Sequence, residues 1–292
     1  MVVLITGANK GIGFQIARTF GKHSEKSVIV TSRNLEMGKK ALSELTVEFP
    51  NSEFHLVQLD LAEESTMQNV VEFVKNNFGE IDVLINNAGY AFSGDSFFRA
   101  FSAFKSFPDK NAALDHEIAI KTFAVNFNAT KSFTEMMEPF VKNRILTNSS
   151  VTSSICFKEC HKEVKAAIRS ESKTQNDVLE LANDCLELCK TGDRTVKYHD
   201  SIYGISKMFN RAVVNIHGKE YPGKFFASAC PGWCATDLGG DAAHVPRTAE
   251  QGAAIFYWLS TTEDSDVLRR SGEFFREESG ANVHSSWDAE LK

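Results

Sequence analysis

The chain has 292 residues, 42% of them hydrophobic and 24% charged, the balance of an ordinary folded protein, so disorder, collagen and coiled coil are excluded. With 32 basic against 38 acidic residues its net charge is −6. It lacks the basic surplus of a general nucleic-acid or anionic-membrane binder, and neither partner is expected.

At about 150 residues per domain the length admits two domains or one large α/β domain, and we read residues 1–292 as one. No apolar run approaches the ~20 residues of a membrane span. The start, Met1-Val2-Val3-Leu4-Ile5-Thr6-Gly7, carries neither a basic leader nor a cleavage site, so it reads as a strand and not as a signal peptide. Six cysteines are too few for a disulfide framework, and reduced thiols in the cytoplasm are expected.

In chain order, short β-branched runs fall at 2–6, 27–31, 54–59, 81–86, 144–148 and 225–230. Each is apolar on both faces, as strands buried between two helical layers must be. Between them the apolar spacing is helical: Ile12, Ile16, Ala17 and Phe20 in one stretch, Met67, Val70, Val71, Val74 and Phe78 in another. Strand and helix in alternation predict an α/β fold with a doubly wound parallel sheet of Rossmann type.

Two stretches interrupt the rhythm. Residues 90–115 follow the fourth strand with six phenylalanines and read as a long loop around a short helix. Residues 156–200 form an insertion between the fifth strand and the next helix. Its second half opens on the capping residue Thr174 and stops before Gly192, so a helix runs to Lys190. Excursions of this length from the carboxyl ends of strands suggest a lid or binding loop.

After the first strand comes Thr6-Gly7-Ala8-Asn9-Lys10-Gly11-Ile12-Gly13, and a helix opens there. Glycines let the backbone approach a pyrophosphate, which then sits on the N–H groups and positive dipole end of the helix. No Gly-Lys-Ser/Thr follows, so this is not a P-loop for ATP or GTP. Binders of NAD place a carboxylate about 20 residues onward to hold the ribose hydroxyls. Here the second strand ends in Ser32-Arg33-Asn34. Arg33 offers a planar fork for a 2′-phosphate and Lys10 a second positive charge, which points to NADP(H).

Further residues follow in a fixed order: Asp60 after the third strand, Asn86-Asn87-Ala88-Gly89 after the fourth, Asn126, Ser150, Tyr203-Gly204-Ile205-Ser206-Lys207, and Cys230-Pro231-Gly232-Trp233 after the sixth. Together with the glycine loop, this set resembles the short-chain dehydrogenase/reductase family over essentially the whole chain. Within it the chain is most similar to the NADPH-dependent carbonyl reductases, which share the Asn-Lys of the glycine loop, the Ser-Arg after the second strand, the Pro-Gly-Trp and the insertion before the tyrosine.

The chemistry agrees with the resemblance. Hydride delivery to a carbonyl leaves an oxyanion that needs a proton, and tyrosine, with a pKa near ~10, is a poor donor at neutral pH unless assisted. A lysine at i+4 lies on the same helix face and lowers that pKa. Of the five tyrosines only Tyr203 has one, Lys207.

The resemblance makes Tyr203 the proton donor, with Lys207 tuning it and holding the nicotinamide ribose. It makes Ser150 the hydroxyl that polarises the carbonyl, Ser149 being the competing choice. It also implies that Asn126 kinks its helix and holds a relay water, with Asn128 the alternative. Asp60 and Leu61 are expected at the adenine, Asn87 at the adenosine ribose with Ala88 and Gly89 beside it. Pro231, Gly232, Cys234, Ala235 and Thr236 are expected around the nicotinamide, and Trp233 joins Ser150 and Tyr203 in the substrate pocket.

The insertion covers a helix flank that forms a subunit interface in tetrameric relatives, which predicts a monomer. The cysteines come in pairs with a three-residue gap (156/160, 185/189, 230/234). Cys185 and Cys189 extend the apolar stripe Val178, Leu181, Leu188 and are read as small hydrophobes, so no metal is expected. Cys234, beside the nicotinamide, is expected to be slowly alkylated by quinones.

The activity expected is NADPH-dependent reduction of small-molecule ketones, aldehydes or quinones. A more selective hydroxysteroid, ketoacyl or plant-alkaloid reductase, and a retired NADPH-binding regulatory protein, remain the alternatives.

Overall fold

The structure is a computed structural model that describes residues 1–23, 27–91, 112–240 and 245–277. Seven strands run β1 (Val2–Ile5), β2 (Ser27–Ser32), β3 (Glu53–Gln58), β4 (Ile81–Asn86), β5 (Val141–Asn148), β6 (Phe225–Cys230) and β7 (Phe274–Arg276). They form one parallel sheet in the order β3-β2-β1-β4-β5-β6-β7. The order reverses between β1 and β4, where a doubly wound sheet opens its crevice at the carboxyl ends of the strands.

Alternate residues of the inner strands enter opposite cores. Val3, Ile5, Val28, Val30, Val83 and Ile85 pack on one side with α1 (Gly11–Gly21), α2 (Leu35–Glu48) and α11 (Ala249–Thr261). Leu4, Ile29, Leu84, Ile145 and Phe226 face α3 (Glu64–Asn77), α5 (Thr130–Met137) and Val214 of α10 (Ile202–Glu220). Strands sandwiched in this way need both faces apolar, as their sequences are. The strand β3 departs from that expectation: it is the sheet edge, and its residues are half-buried or exposed.

The expected strands and helices are present, with β7 added. It has only three residues, too few for a readable alternation. Of the stretch 90–115, residues 92–111 lie outside the described residues. From Ala112 the chain is helical, as α4 (Ala112–Phe123) followed by a π-helical turn (Ala124–Ala129) that leads into α5.

The insertion is helical earlier than expected. It begins with α6 (Thr152–Glu159) and α7 (Lys162–Arg169), followed by α8 (Gln175–Thr191), α9 (Arg194–Lys197) and then α10. Helix α8 carries the predicted cap: Thr174 accepts the Asp177 N–H while Asp177 accepts the Thr174 N–H, and the helix ends at Gly192. Val178, Cys185 and Cys189 are buried with Cys156, Cys160 and Phe209 in one apolar core between the insertion and α10. The thiols act there as small hydrophobes, and no disulfide joins them. Among the described residues no helix is long and apolar enough to cross a membrane.

Candidate active site

A cleft of about 770 Å³ runs across the carboxyl ends of the strands. At one end is the turn from β1 into α1. Gly7 (φ +63°) and Gly11 (φ +58°) adopt left-handed backbone there, which side chains rarely tolerate. Gly13 serves a different need: a Cβ on it would lie 2.4 Å from Asn87 Nδ2 and 2.5 Å from Gly7 O. It is a packing glycine behind the loop and does not line the cleft. Asn9, Lys10, Gly11 and Ile12 do line it, as do Arg33, Asp60 and Leu61. Arg33 is exposed where β2 ends. Asp60 spends one carboxylate oxygen on the Ala62 N–H at 3.0 Å.

At the other end are Ser150, Tyr203 and Lys207. Ser201 caps α10, its hydroxyl accepting the Gly204 N–H at 3.0 Å. Tyr203 therefore stands in the first turn and Lys207 one turn on. Lys207 Nζ lies 5.7 Å from the Tyr203 ring centroid and donates to Asn148 O at 2.8 Å. Burial pulls its pKa from 10.5 down to about 8, because the ammonium has left water.

Of the two serines, Ser149 is buried and Ser150 half-buried in the cleft wall. Ser150 Oγ accepts the Thr152 N–H at 3.2 Å, which leaves its own proton for another acceptor.

Asn126 is buried in the π-helical turn, which interrupts the α-helical bonding where the kink was expected, while Asn128 is exposed. The Asn126 side chain does not reach the cleft. Oδ1 accepts the Tyr90 N–H, and Nδ2 donates to Tyr90 O, both at 2.7 Å, and to Ser206 Oγ at 3.0 Å. Its carbonyl accepts Asn210 Nδ2 at 2.7 Å. The residue anchors Tyr90, itself in the cleft wall, to α10.

Asn87 lines the cleft beside Ala88 and Gly89, but its amide is spent on the scaffold. Nδ2 donates to Thr6 O at 3.0 Å and Gly7 O at 3.2 Å, and Oδ1 accepts Asn148 Nδ2 at 3.0 Å. A polar thread thus runs from the glycine loop through Asn87 and Asn148 to Lys207.

The loop after β6 forms the remaining wall, with Pro231, Gly232, Trp233, Cys234, Ala235 and Thr236. The Trp233 indole N–H donates to Gly239 O at 2.7 Å. Cys234 is 3% exposed and burial raises its thiol to about 11. A buried, protonated thiol is a poor nucleophile, which weighs against the expected alkylation by quinones.

Asn148 and Asp237 are among the members of the wall that were not foreseen. Asn148 emerged only with the thread. Asp237 accepts Lys10 Nζ at 2.6 Å across the cleft, and that ammonium holds its carboxyl below the usual value. A pair separated by 227 positions leaves no local signal.

The donor set suits a nicotinamide dinucleotide: a glycine turn with no side chains in the way, cations at Lys10 and Arg33, and a tyrosine hydroxyl at the far end. With the fold, this defines a dinucleotide-dependent oxidoreductase site.

The comparisons agree on the class. The family model described as short chain dehydrogenase matches residues 1–161. Carbonyl reductase (NADPH) 1 of Bos taurus is 30% identical over 285 residues, covering 94% of this chain and 96% of that protein. The Mus musculus protein of the same name is 31% identical, over 89% of this chain and 90% of its own. Salutaridine reductase from Papaver somniferum superimposes with a TM-score of 0.76 at 26% identity, over 94% of this chain and 98% of that one. The chain belongs to the short-chain dehydrogenase family.

Proposed function

We propose that the protein is an NADPH-dependent reductase of ketones, aldehydes or quinones. The observation that carries this reading is that Ser150, Tyr203 and Lys207 share one cleft with the glycine loop and Arg33. The similarity to carbonyl reductases over nearly the whole chain supports it.

When bound, NADPH supplies the hydride that the carbonyl carbon receives. The protein's part is to handle the oxygen. Ser150, its Oγ already accepting the Thr152 N–H, donates its own proton toward the carbonyl oxygen. Tyr203 gives up its phenolic proton to the same oxygen as charge develops there. The Lys207 ammonium, 5.7 Å from the ring centroid, makes that release easier. Preorganised donors of this kind are worth about 3–4 kcal/mol each in the transition state.

Arg33 and Lys10 are assigned to the 2′-phosphate, Lys10 exchanging Asp237 for it. Asn126 acts by holding Tyr90. Trp233 is assigned to the substrate wall.

The test is NADPH oxidation, followed by nicotinamide absorbance, against quinones, isatin and aromatic ketones, with NADH and Tyr203→Phe as comparisons. Turnover that prefers NADPH and is lost in the variant supports the reading. Tight NADPH binding with no turnover on the panel refutes it. That result favours a selective reductase of the plant-alkaloid type, toward which the similarity to salutaridine reductase points, or a regulatory NADPH binder.

We propose further that the protein is a monomer. Helices α6 and α8 pack on α10, and α8 also packs on α4, covering the flank that a partner subunit would need. Sedimentation at a dimer mass would refute this.

A further inference from the structure

The insertion starts directly behind Ser150. Besides the Thr152 N–H on its Oγ at 3.2 Å, the Ser150 carbonyl accepts the Ser153 N–H at 3.0 Å. The first turn of α6 therefore holds Ser150. One turn further along the same helix, Cys156 presses on α10 at Gly204, the residue next to Tyr203.

A Cβ built on Gly204 would lie 2.3 Å from Cys156 Sγ, 3.2 Å from Thr152 O and 3.3 Å from Ser201 Oγ. Non-bonded heavy atoms sit comfortably at about 3.5–4 Å, so α6 and α10 approach this closely only because position 204 has no side chain. The Cys156 thiol also points at Ser201 O, 3.8 Å away, and Ser201 is the cap of α10. One helix thus touches Ser150 at its start and the turn that carries Tyr203 in its middle.

We propose that the Cys156–Gly204 contact is the spacer that sets the separation of the Ser150 and Tyr203 hydroxyls, which makes Gly204 and Cys156 positioning residues. The proposal rests on the assignment of those two hydroxyls to the carbonyl oxygen. It gives a role to a buried thiol that the proton transfer does not use, and it makes the insertion part of the active-site scaffold.

The test is steady-state kinetics of Gly204→Ala on a substrate that the wild type reduces, with Tyr203→Phe as the control for the assignment. The added methyl drives α6 from α10, and misplacement by about 1 Å lowers kcat by up to about a hundredfold. KM for NADPH stays near the wild-type value, because the glycine loop and Arg33 stand on β1 and β2, away from α6. Adding Cys156→Ala to Gly204→Ala removes the sulfur from the crowded contact and restores most of the lost kcat.

A wild-type kcat in Gly204→Ala overturns the proposal, and so does a loss that Cys156→Ala fails to relieve. If Gly204→Ala does not fold, Cys156→Val crowds the same contact from the other helix and decides the matter. A fall in kcat with KM for NADPH retained supports the spacer, and an unchanged kcat overturns it. An unchanged kcat in Tyr203→Phe refutes the assignment of the hydroxyls and the spacer with it, whereas a silent Gly204→Ala beside an inactive Tyr203→Phe counts against the spacer alone.

Discussion

Replacing Lys207 by methionine is expected to abolish activity and stabilise the fold. Lys207 is 4% exposed, and burial takes its pKa from 10.5 to about 8. At about 1.4 kcal/mol per tenfold change, keeping it charged at pH 7 costs the folded state about 3 kcal/mol. Methionine has similar length and fills the space with little strain. It also leaves Asn148 O without the donor now 2.8 Å away, a loss of about 1–2 kcal/mol. The net gain is about 1–2 kcal/mol, or an increase of about 2–3 °C in Tm.

The pH dependence isolates the cause. Only the folded state penalises the protonated lysine, so the penalty is complete below about pH 8. It shrinks as pH rises from about 8 toward 10.5, where the unfolded chain also releases the proton. Urea unfolding without cofactor, followed by tryptophan fluorescence at pH 7 and pH 10, reads both quantities. A variant less stable than wild type at pH 7, or a gap that does not narrow by pH 10, refutes the reasoning.

Other perturbations follow from the same geometry. Wild-type kcat should fall above about pH 8 as Lys207 loses its charge, and a profile flat to pH 10 would show that the charge is not used. Tyr203→Phe is expected to lower kcat by about 10²–10⁴-fold while NADPH binding persists, checked by turnover and by cofactor fluorescence titration. Arg33→Ala should raise KM for NADPH by about 10- to 100-fold and leave KM for NADH nearly unchanged, since the lost interaction is charge-assisted. Asp237→Asn releases Lys10 from an exposed pair and should tighten NADPH binding by about two- to fivefold at low salt, an effect that 0.5 M salt removes. Thr174→Ala removes the cap of α8 and should cost about 1 kcal/mol in urea unfolding without changing KM for NADPH.

The parts of the site that could be read from the chain are those whose chemistry is local. A glycine turn between strand and helix, and a tyrosine with lysine at i+4, carry their geometry in their spacing, and both stand where expected. Both serines line the cleft, and Ser150 is the more exposed of the two. What escaped depends on distant neighbours. Asn87 stands in the cleft wall as its motif implies, but the bonds of its amide to Thr6, Gly7 and Asn148 are made to partners distant in the chain. The start of the insertion hid its helices because α6 has a weak apolar stripe and α7 buries only Val164 and Ile168. Strand β3 was read as fully sandwiched because its composition does not reveal that it lies at the sheet edge.

The polar thread through Asn87 and Asn148 joins the glycine turn to Lys207 without touching the loop after β6. The distance between the glycine turn and Lys207 is therefore written into the strands, while Trp233 and its neighbours stand on a loop bonded within itself and, through Asp237 and Ala235, to Lys10 and Arg247. Reactivity and selectivity are separable traits in such a molecule. An engineer who wants a new substrate can rebuild that wall and leave the chemistry in register.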